Sequence, residues 1–334
     1  MYSFPSVAVW HDVTLSTLKD KIVPLGQPAI LKGALASWPI VEAGLSGKQA
    51  LLQYLTKQSL NPQIPLVKNS GHNGRLFYNE EFSGLNFTVE NLPFNSALDK
   101  LNSVSDQDSH VFYISNTPVR KIFPSLLQEN FNDFLVRDAH PGIWISNKVK
   151  VAAHFDVPDN IACCIYGKRR FTLFPPHQIE NLYIGPVDAT PAGQPISLVD
   201  MANPDFVKFP KFREALKHAL VADLSPGDAL YLPSLWWHQV ESMSSLNILM
   251  TYFHDATPRH LGSAYDCLLH SLMSVRQLPE HKKKAWQAFF NHYVFSDNEQ
   301  AKSHIPENLH GVLGDVTPAM AQSIKNIVSQ NLKQ

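Results

Sequence analysis

Residues 151–176 read VAAHFDVPDNIACCIYGKRRFTLFPP, and this stretch combines a strand pattern with a metal-ligand pattern. Short apolar or alternating runs at 151–155, 161–166 and 170–174 are separated by turn residues, which is typical of β-strands. His154 and Asp156 are two residues apart, and side chains at i and i+2 of a strand point to the same face. The stretch therefore predicts strands that bring one imidazole and one carboxylate towards a single ion.

Runs of the same kind continue on both sides of this stretch. Turn residues rather than helical repeats separate them, and they lie at 111–114, 142–146, 229–232, 237–242 and 248–253. Eight antiparallel-looking strands predict a sandwich or jelly roll rather than a doubly wound parallel sheet. Between Pro175 and Asp223 lies a long insertion, loop and helix together, of the kind that often covers a binding site.

The chain divides into three zones by sequence character. Residues 1–105 are a mixed region that we expect to pack on the jelly roll, with a strand near 28–33 and a helix near 48–57. Residues 106–258 hold the predicted jelly-roll core, and residues 259–334 turn helical.

Three apolar stripes at helical spacing mark residues 259–334. Pro279 and Pro318 precede the second and third stripes and suit the first positions of helices. Contiguous exposed apolar patches usually mark an interface, so we expect a twofold homodimer built largely from these helices. The alternative is a monomer in which the stripes pack on one another and on the jelly roll. The stripes are Tyr265, Leu268, Leu269 and Leu272; Trp286, Phe289, Phe290 and Tyr293; and Met320, Ile324, Ile327 and Val328.

The composition is that of an ordinary globular chain, with 334 residues, 44% hydrophobic and 17% charged. The 28 Lys and Arg against 29 Asp and Glu give a net charge of −1, which argues against a whole-molecule electrostatic grip on nucleic acid. The three cysteines have no metal-ligand spacing, the N-terminus has no leader pattern, and no apolar run approaches the roughly 20 residues of a membrane span. We expect a soluble, cytoplasmic protein without membrane association.

A second histidine could complete a metal site. Residues 225–233 read SPGDALYLP, a turn followed by a strand, and they lead into Trp236-Trp237-His238. A further turn could return His238 across the sheet towards His154. Two histidines and one carboxylate on one face of a metal leave three positions open, as in non-haem Fe(II) oxygenases. A structural zinc site would instead close its coordination, usually with cysteine.

The joint pattern resembles the JmjC hydroxylases, a cupin-like family. Members with this similarity include the asparaginyl hydroxylase that inhibits hypoxia-inducible factor and the tRNA wybutosine hydroxylase. The resemblance covers most of residues 25 to 255 and implies a mainly β fold with helices: a double-stranded β-helix (jelly roll, cupin-like) core with N-terminal elements and a C-terminal helical region. It lies in His154-Phe155-Asp156, Asn160-Ile161-Ala162, the run from Gly167 to Pro176, Pro226-Gly227-Asp228, Trp236-Trp237-His238 and Glu241-Ser242, with looser similarity at Ala36-Ser37-Trp38-Pro39.

The resemblance also implies a cosubstrate. Iron would be held by His154, Asp156 and His238, and 2-oxoglutarate would chelate it through the 1-carboxylate and keto oxygen. The family lysine fifteen residues after the first histidine corresponds to Arg169 here, whose planar guanidinium can bind the far carboxylate bidentately. Lys168 is the alternative anchor, although strand alternation directs it to the other face.

Further positions match the family's cosubstrate pocket. Tyr113 resembles the tyrosine that bonds the same carboxylate, and Asn160 matches another pocket residue. Thr251 stands where the family has asparagine, and Val151 where the asparaginyl hydroxylase has threonine. Taken without the resemblance, Tyr113 and Thr251 are equally well ordinary strand residues, and Asn160 could cap a turn.

The resemblance implies a 2-oxoglutarate-dependent dioxygenase that uses Fe(II) and O₂. It would oxidise 2-oxoglutarate to succinate and CO₂ while it hydroxylates a substrate C–H group. A protein or peptide side chain is the first substrate hypothesis, a modified tRNA base the second and methyl-lysine the third. Two other classes stay open: a cupin that uses its metal only as a Lewis acid, and a catalytically silent scaffold.

Overall fold

The structure is a computed structural model that describes residues 3–70, 74–105, 110–135, 140–191, 193–255 and 257–333. It contains two compact units, Met1–His254 and Asp255–Gln334. Every strand of the described residues belongs to the first unit, and the second unit consists of helices and turns.

The strands of the first unit are short, mostly of four to nine residues. Numbered along the chain they are β1 Ala8–Trp10, β2 Ala29–Leu31, β3 Gln63–Ser70, β4 Arg75–Leu76, β5 Thr88–Pro93, β6 His110–Pro118, β7 Gly142–Ser146, β8 Lys150–His154, β9 Asp159–Tyr166, β10 Arg169–Phe174, β11 Leu220–Leu224, β12 Ala229–Leu232, β13 Trp237–Ser242 and β14 Asn247–His254.

These strands form two sheets. The larger has nine strands in the order β1-β2-β12-β9-β14-β7-β6-β3-β5, and the smaller has five in the order β11-β10-β13-β8-β4. Described neighbours pair antiparallel, except β1 with β2 and β4 with β8, which are parallel. The order is far from the order along the chain, as in a jelly roll, and the predicted fold class is confirmed.

Helices cover one face of the larger sheet. Alternate residues of its central strands, such as Ile161, Cys163 and Ile165 of β9, belong to one apolar core together with helical leucines and phenylalanines. The helices of this unit are α1 Pro39–Leu45, α2 Lys48–Gln58, α3 Phe94–Ser103, α4 Val119–Ile122, α5 Leu126–Glu129 and α6 Phe212–Lys217, with a π-helix at Thr17–Ile22 and 3₁₀ turns at Val23–Leu25 and Pro176–Asn181.

The other face of the larger sheet packs against the smaller sheet. Ala162 and Cys164 of β9 and Leu249 of β14 share a second apolar core with Phe171 and Leu173 of β10. Strand β9 is buried along six consecutive residues because both of its faces are covered. The space between the two sheets is therefore where a binding cavity can form.

All eight strands predicted from the middle of the chain are present. Four have the predicted length, three are one or two residues longer, and β6 is five residues longer. The early elements are also present, as β2 and α2. Strands from both sides of residue 105 lie in the same two sheets, so that boundary marks a change in sequence character within one compact unit.

The second unit holds the predicted C-terminal helices. Short 3₁₀ turns occur at Arg259–Leu261, Glu307–Leu309 and Gly311–Leu313, and a π-helical turn occurs at Asn291–Phe295. Ser263 and Thr317 cap two of the helices, since each side-chain oxygen accepts a backbone N–H bond. The helices are α7 Ala264–Ser274, α8 Glu280–Phe290 and α9 Pro318–Asn331.

Among the described residues, no helix combines the length and the apolar character that crossing a bilayer requires.

Candidate metal centre

Strand β8 and the residues after it carry the first two candidate ligands. His154 is the last residue of β8, and Asp156 follows two positions later. The backbone N–H of Leu235 donates to the carbonyl oxygen of Asp156 at 2.9 Å. This bond fastens the segment that follows β8 to the segment that precedes β13.

His238 comes from the neighbouring strand. Strand β13 pairs antiparallel with β8, and His238 is the register partner of His154, with an irregularity before Val240. The two imidazole centroids are 4.2 Å apart, and His238 Nε2 lies 3.6 Å from Asp156 Oδ2. One ligand atom from each residue lies within 4.8 Å of the others. The structure thus brings together the three side chains that the sequence singled out.

Backbone carbonyls orient both imidazoles. His154 Nδ1 is 2.9 Å from the carbonyl oxygen of Ala152, and His238 Nδ1 is 2.9 Å from that of Trp236. A carbonyl oxygen only accepts, so each Nδ1 carries the proton in these bonds. Each Nε2 then keeps its lone pair, which is the arrangement that a metal-ligating histidine needs.

The protonation state of His238 favours the binding of a cation by this cluster. Burial, reinforced by the neighbouring His154, lowers the pKa of His238 to about 4, so this imidazole is neutral at physiological pH. The nearest thiols do not compete, because burial raises the pKa of Cys164 to about 12. Two imidazoles and one carboxylate form a nitrogen and oxygen donor set, which suits Fe(II) and similar divalent ions.

A cavity of about 490 Å³ opens beside the cluster, between the two sheets. Both sheets and the insertion after β10 contribute to its wall. The lining includes the three candidate ligands and all four predicted cosubstrate residues, which are Tyr113, Asn160, Arg169 and Thr251.

Arg169 is the most unusual residue of this wall. Its side chain is only 3% exposed, and neither Nε nor Nη2 has a hydrogen-bond partner among the described residues. Burial lowers the pKa of Arg169, while Cys164 and Tyr113 are the nearby groups that oppose the shift. A buried cation with free N–H groups is costly unless an anion pairs with it. The cavity is therefore built to receive one.

The other predicted cosubstrate residues surround this cation and the cluster. Burial raises the pKa of Tyr113, and the adjacent Arg169 works against that rise, so the phenol is a neutral donor next to the guanidinium. Asn160 Nδ2 is 3.5 Å from Asp156 Oδ2, and Asn160 Oδ1 is buried with no partner among the described residues. Thr251 Oγ1 accepts a hydrogen bond from Trp144 Nε1 at 3.0 Å.

Lys168, the alternative anchor, does not line the cavity. It is exposed in the turn between β9 and β10, and its backbone N–H donates to Ser244 Oγ at 3.1 Å. Gly167 forms this turn at φ +77°, a conformation that strongly favours glycine. The turn starts β10 so that Arg169 faces inward and Lys168 faces solvent. Val151 also lines the cavity, as an apolar residue.

Several lining residues were not predicted from the sequence. Val67, Leu76 and Phe87 come from the N-terminal region, and Gln194 comes from the insertion with its Oε1 buried and unpartnered among the described residues. Trp144 of β7 is another. Its apolar strand predicted a core residue, and only the geometry of the sheets shows that its indole faces the cavity.

Comparison with known proteins identifies the family. A family model described as a cupin-like domain matches residues 15–260, which is most of the chain. The chain therefore belongs to the cupin-like family of JmjC type.

The curated relatives carry three kinds of name. HSPB1-associated protein 1 from Bos taurus is 25% identical over 325 residues, covering 84% of this chain and 63% of that protein. tRNA wybutosine-synthesizing protein 5 from Mus musculus is 27% identical over 241 residues, covering 60% of this chain and 71% of that protein. JmjC domain-containing protein F from Dictyostelium discoideum is 28% identical over 288 residues, covering 71% of this chain and 59% of that protein. The chain spans less than two thirds of the length of the HSPB1-associated relatives that it matches.

Proposed function

We propose that this chain is an Fe(II)- and 2-oxoglutarate-dependent oxygenase that hydroxylates a protein side chain. The observation that carries the proposal is a buried guanidinium whose Nε and Nη2 have no hydrogen-bond partner among the described residues, in the same cavity as a cluster of two histidines and one carboxylate. When bound, the iron and 2-oxoglutarate supply the activation of O₂ and the electrons that reduce it. The chain's own residues bind, orient and shield these reactants.

The metal would be held by His154, Asp156 and His238. The fit rests on the donor chemistry: two imidazoles whose Nδ1 atoms bond backbone carbonyls, and one carboxylate, grouped on the wall of an open cavity. Three protein ligands leave coordination positions for a chelating cosubstrate and O₂. Asn160 would hold the Asp156 carboxylate in place, since its Nδ2 reaches Oδ2.

The far carboxylate of 2-oxoglutarate would pair with Arg169. The free Nε and Nη2 belong to one edge of the guanidinium, and that edge matches the two oxygens of a carboxylate. Tyr113, next to this cation, would donate a hydrogen bond from its phenolic O–H to the same carboxylate. Arginine here, where the family has lysine, keeps the positive charge and adds planar geometry.

The remaining wall would exclude water and admit the substrate. Apolar side chains such as Phe171, Val240 and Leu249 line the cavity beside the polar groups. Ile196 and Gln194 from the insertion form another part of the wall. A dry, shaped cavity strengthens the electrostatic interactions inside it and limits unproductive oxidation.

A protein side chain is the substrate class that we favour. The net charge of −1 argues against a broad electrostatic hold on a polynucleotide. The bovine relative, whose alignment covers 84% of this chain, is named for its association with another protein, HSPB1. The second candidate is a modified tRNA base, and it is supported by the wybutosine-synthesizing relatives.

The test begins with the purified chain under anaerobic conditions. Fe(II) and then 2-oxoglutarate are titrated, and the visible charge-transfer absorption of an Fe(II)–2-oxoacid chelate reports cosubstrate binding. We expect saturable absorption, followed after admission of O₂ by succinate production that rises with a pool of cellular peptides. A mass increase of one oxygen atom in a peptide would then identify the substrate.

A parallel reaction with total tRNA separates the two substrate classes. Stimulation of succinate production by tRNA alone would replace the protein substrate with the second candidate. A protein that binds Fe(II) but neither binds 2-oxoglutarate nor forms succinate would contradict the oxygenase proposal. Product formation that is independent of O₂ would favour a Lewis-acid cupin instead.

A further inference from the structure

Trp144 links two walls of the cavity. It lies on β7, lines the cavity, and its indole stacks on Tyr113 with ring centroids 6.0 Å apart and an interplanar angle of 28°. Its Nε1 donates to Thr251 Oγ1 on the adjacent strand β14 at 3.0 Å. Residue 142, the register partner of Thr251, is glycine, and a Cβ there would lie 1.8 Å from Asn116 Oδ1 and 3.3 Å from Thr251 Oγ1. The absence of a side chain at Gly142 therefore makes room for the Asn116 amide beside the Thr251 hydroxyl.

This hydrogen bond determines the direction in which the Thr251 hydroxyl can donate. An indole N–H only donates, whereas a hydroxyl has one proton to donate and two lone pairs that accept. The Trp144 bond occupies a lone pair of Oγ1 and leaves the hydroxyl proton to find another acceptor. In the part of the chain that the structure describes, Thr251 has no side-chain hydrogen bond besides the one from Trp144.

An acceptor for that hydroxyl proton can therefore come only from within the cavity. Thr251 is 3% exposed and lines the same space as His154, Asp156, His238 and Arg169. A buried donor that lacks an acceptor is unfavourable, and an anionic acceptor in the cavity would satisfy it with a strong, charge-assisted bond.

We propose that Trp144 is a positioning residue that holds the Thr251 hydroxyl as a donor to an anionic oxygen of the bound 2-oxoacid. The inference rests on the proposed function. Arg169 would neutralise the far carboxylate of the cosubstrate, and the Trp144–Thr251 pair would add a fixed hydroxyl donor in the same cavity. Tryptophan suits this role because its N–H cannot reverse direction, so Thr251 cannot turn its proton back towards β7.

The test compares four variants with the wild-type protein: Trp144→Phe, Thr251→Val, the double variant, and Thr251→Ser. The affinity for 2-oxoglutarate is measured anaerobically with Fe(II) present, through the charge-transfer absorption. Thr251→Val should weaken binding by about tenfold to a hundredfold, the usual effect of losing a bond to a charged group. Trp144→Phe should weaken it by about three- to tenfold, because the hydroxyl stays but loses its orientation. Thr251→Ser keeps the hydroxyl and should retain nearly wild-type affinity for 2-oxoglutarate.

The double variant distinguishes positioning from a general loss of structure. If Trp144 acts through Thr251, the double variant binds 2-oxoglutarate no more weakly than Thr251→Val alone. Trp38→Phe is the matched control, because Trp38 also donates from its indole to a side chain, Asn132, but from the helix-covered core. That control should lower stability and leave the affinity for 2-oxoglutarate unchanged.

A second measurement needs no metal or cosubstrate. The chain has six tryptophans, and the indole N–H signal that disappears in Trp144→Phe assigns Trp144 in a proton–nitrogen correlation spectrum. Thr251→Val should shift that signal upfield in the metal-free protein, and Thr251→Ser should not.

Three outcomes would overturn the inference. The first is affinity for 2-oxoglutarate in Trp144→Phe within twofold of the wild type. The second is a double variant in which the two single losses multiply, since Trp144 would then act independently of Thr251. The third is an absence of 2-oxoglutarate binding by the wild-type protein, which would also overturn the proposed function, whereas the first two leave that function intact.

Discussion

Arg169 stands where the resemblance to the JmjC hydroxylases implies a lysine. Arg169 is 3% exposed, and its Nε and Nη2 have no partner among the described residues. Lysine would place one flexible ammonium in this cavity, whereas arginine presents a rigid pair of donors. Arginine in place of lysine therefore changes the geometry of anion binding and keeps the positive charge of the side chain.

Arg169→Ala should strongly raise the 2-oxoglutarate concentration needed for half-maximal succinate formation. Truncation leaves the far carboxylate unpaired in the cavity, at a cost of about 2–5 kcal/mol, which corresponds to at least about thirtyfold. Arg169→Lys should recover part of the loss. Lys168→Ala is the control, because Lys168 is exposed and outside the cavity. If Lys168→Ala raises the requirement and Arg169→Ala does not, the anchor is Lys168.

The metal ligands make a separate prediction. His154→Ala, Asp156→Ala and His238→Ala should each abolish 2-oxoglutarate turnover, because two remaining ligands hold the metal too weakly. Circular dichroism and thermal melting should show that each variant remains folded. His177→Ala, a change of an exposed histidine elsewhere in the chain, should leave turnover unchanged. Near-wild-type turnover by any triad variant at limiting Fe(II) would remove that residue from the metal site.

How much of the site the sequence could predict follows from how the residues are spaced. His154 and Asp156 are two positions apart, so strand alternation alone predicted that they converge. His238 is 84 positions from His154, and its approach depended on two turns and a strand pairing that the motif made plausible. Gln194 lies in the insertion, where no periodicity indicates which side chains turn inward. Its place on the cavity wall is a property of tertiary structure.

At the scale of secondary structure, the sequence did not predict the strands whose own residues disfavour a strand pattern. Strand β3 contains Pro65, which lacks the N–H that a ladder needs, yet β3 lies between two neighbours. The register explains this: Pro65 pairs only with β5, and the pairing with β6 begins at Val67. Strand β11 overlaps the end of the predicted insertion between Pro175 and Asp223. Its five residues have no clear alternation, and it begins only two residues after α6.

The turn between β11 and β12 depends on one buried carboxylate. Asp228 is 2% exposed and accepts from Lys32 Nζ at 2.8 Å and from the backbone N–H groups of Gly33 and Ser225 at 3.0 Å each. Asp228→Ala would leave both backbone donors without a partner. We expect a loss of about 2–4 kcal/mol in the free energy of unfolding, measured by urea denaturation.

Lys32→Met separates the ion pair from the turn. Lys32 is about half exposed, so removing its charge breaks a screened interaction and keeps both backbone bonds to Asp228. The loss in this variant should be no more than about 1 kcal/mol. Equal losses in Lys32→Met and Asp228→Ala would show that the ion pair, rather than the turn, stabilises this region.

In the molecule as a whole, the unit Asp255–Gln334 differs from the unit that holds the cavity. It has few buried residues, Ala301 and Ala321 among them, and large apolar side chains remain exposed on all three of its helices. Among the predicted stripe residues these are Leu268 and Leu269 of α7, Trp286 and Phe289 of α8, and Ile324, Ile327 and Val328 of α9. Apolar area of this extent is unusual on a helical surface that faces only water.

We predict that these helices form a twofold homodimer, in which the same apolar faces of two copies cover each other. Sedimentation equilibrium at micromolar concentration should give twice the chain mass of 37.5 kDa. Leu268→Arg and Phe289→Arg should shift the equilibrium to the monomer, because a buried, unpaired charge would cost several kcal/mol at the interface. Val207→Arg is the control, since Val207 is 94% exposed and belongs to the other unit. A wild-type monomer at 37.5 kDa, unaltered by Leu268→Arg or Phe289→Arg, would show that the exposed helices serve another partner or none.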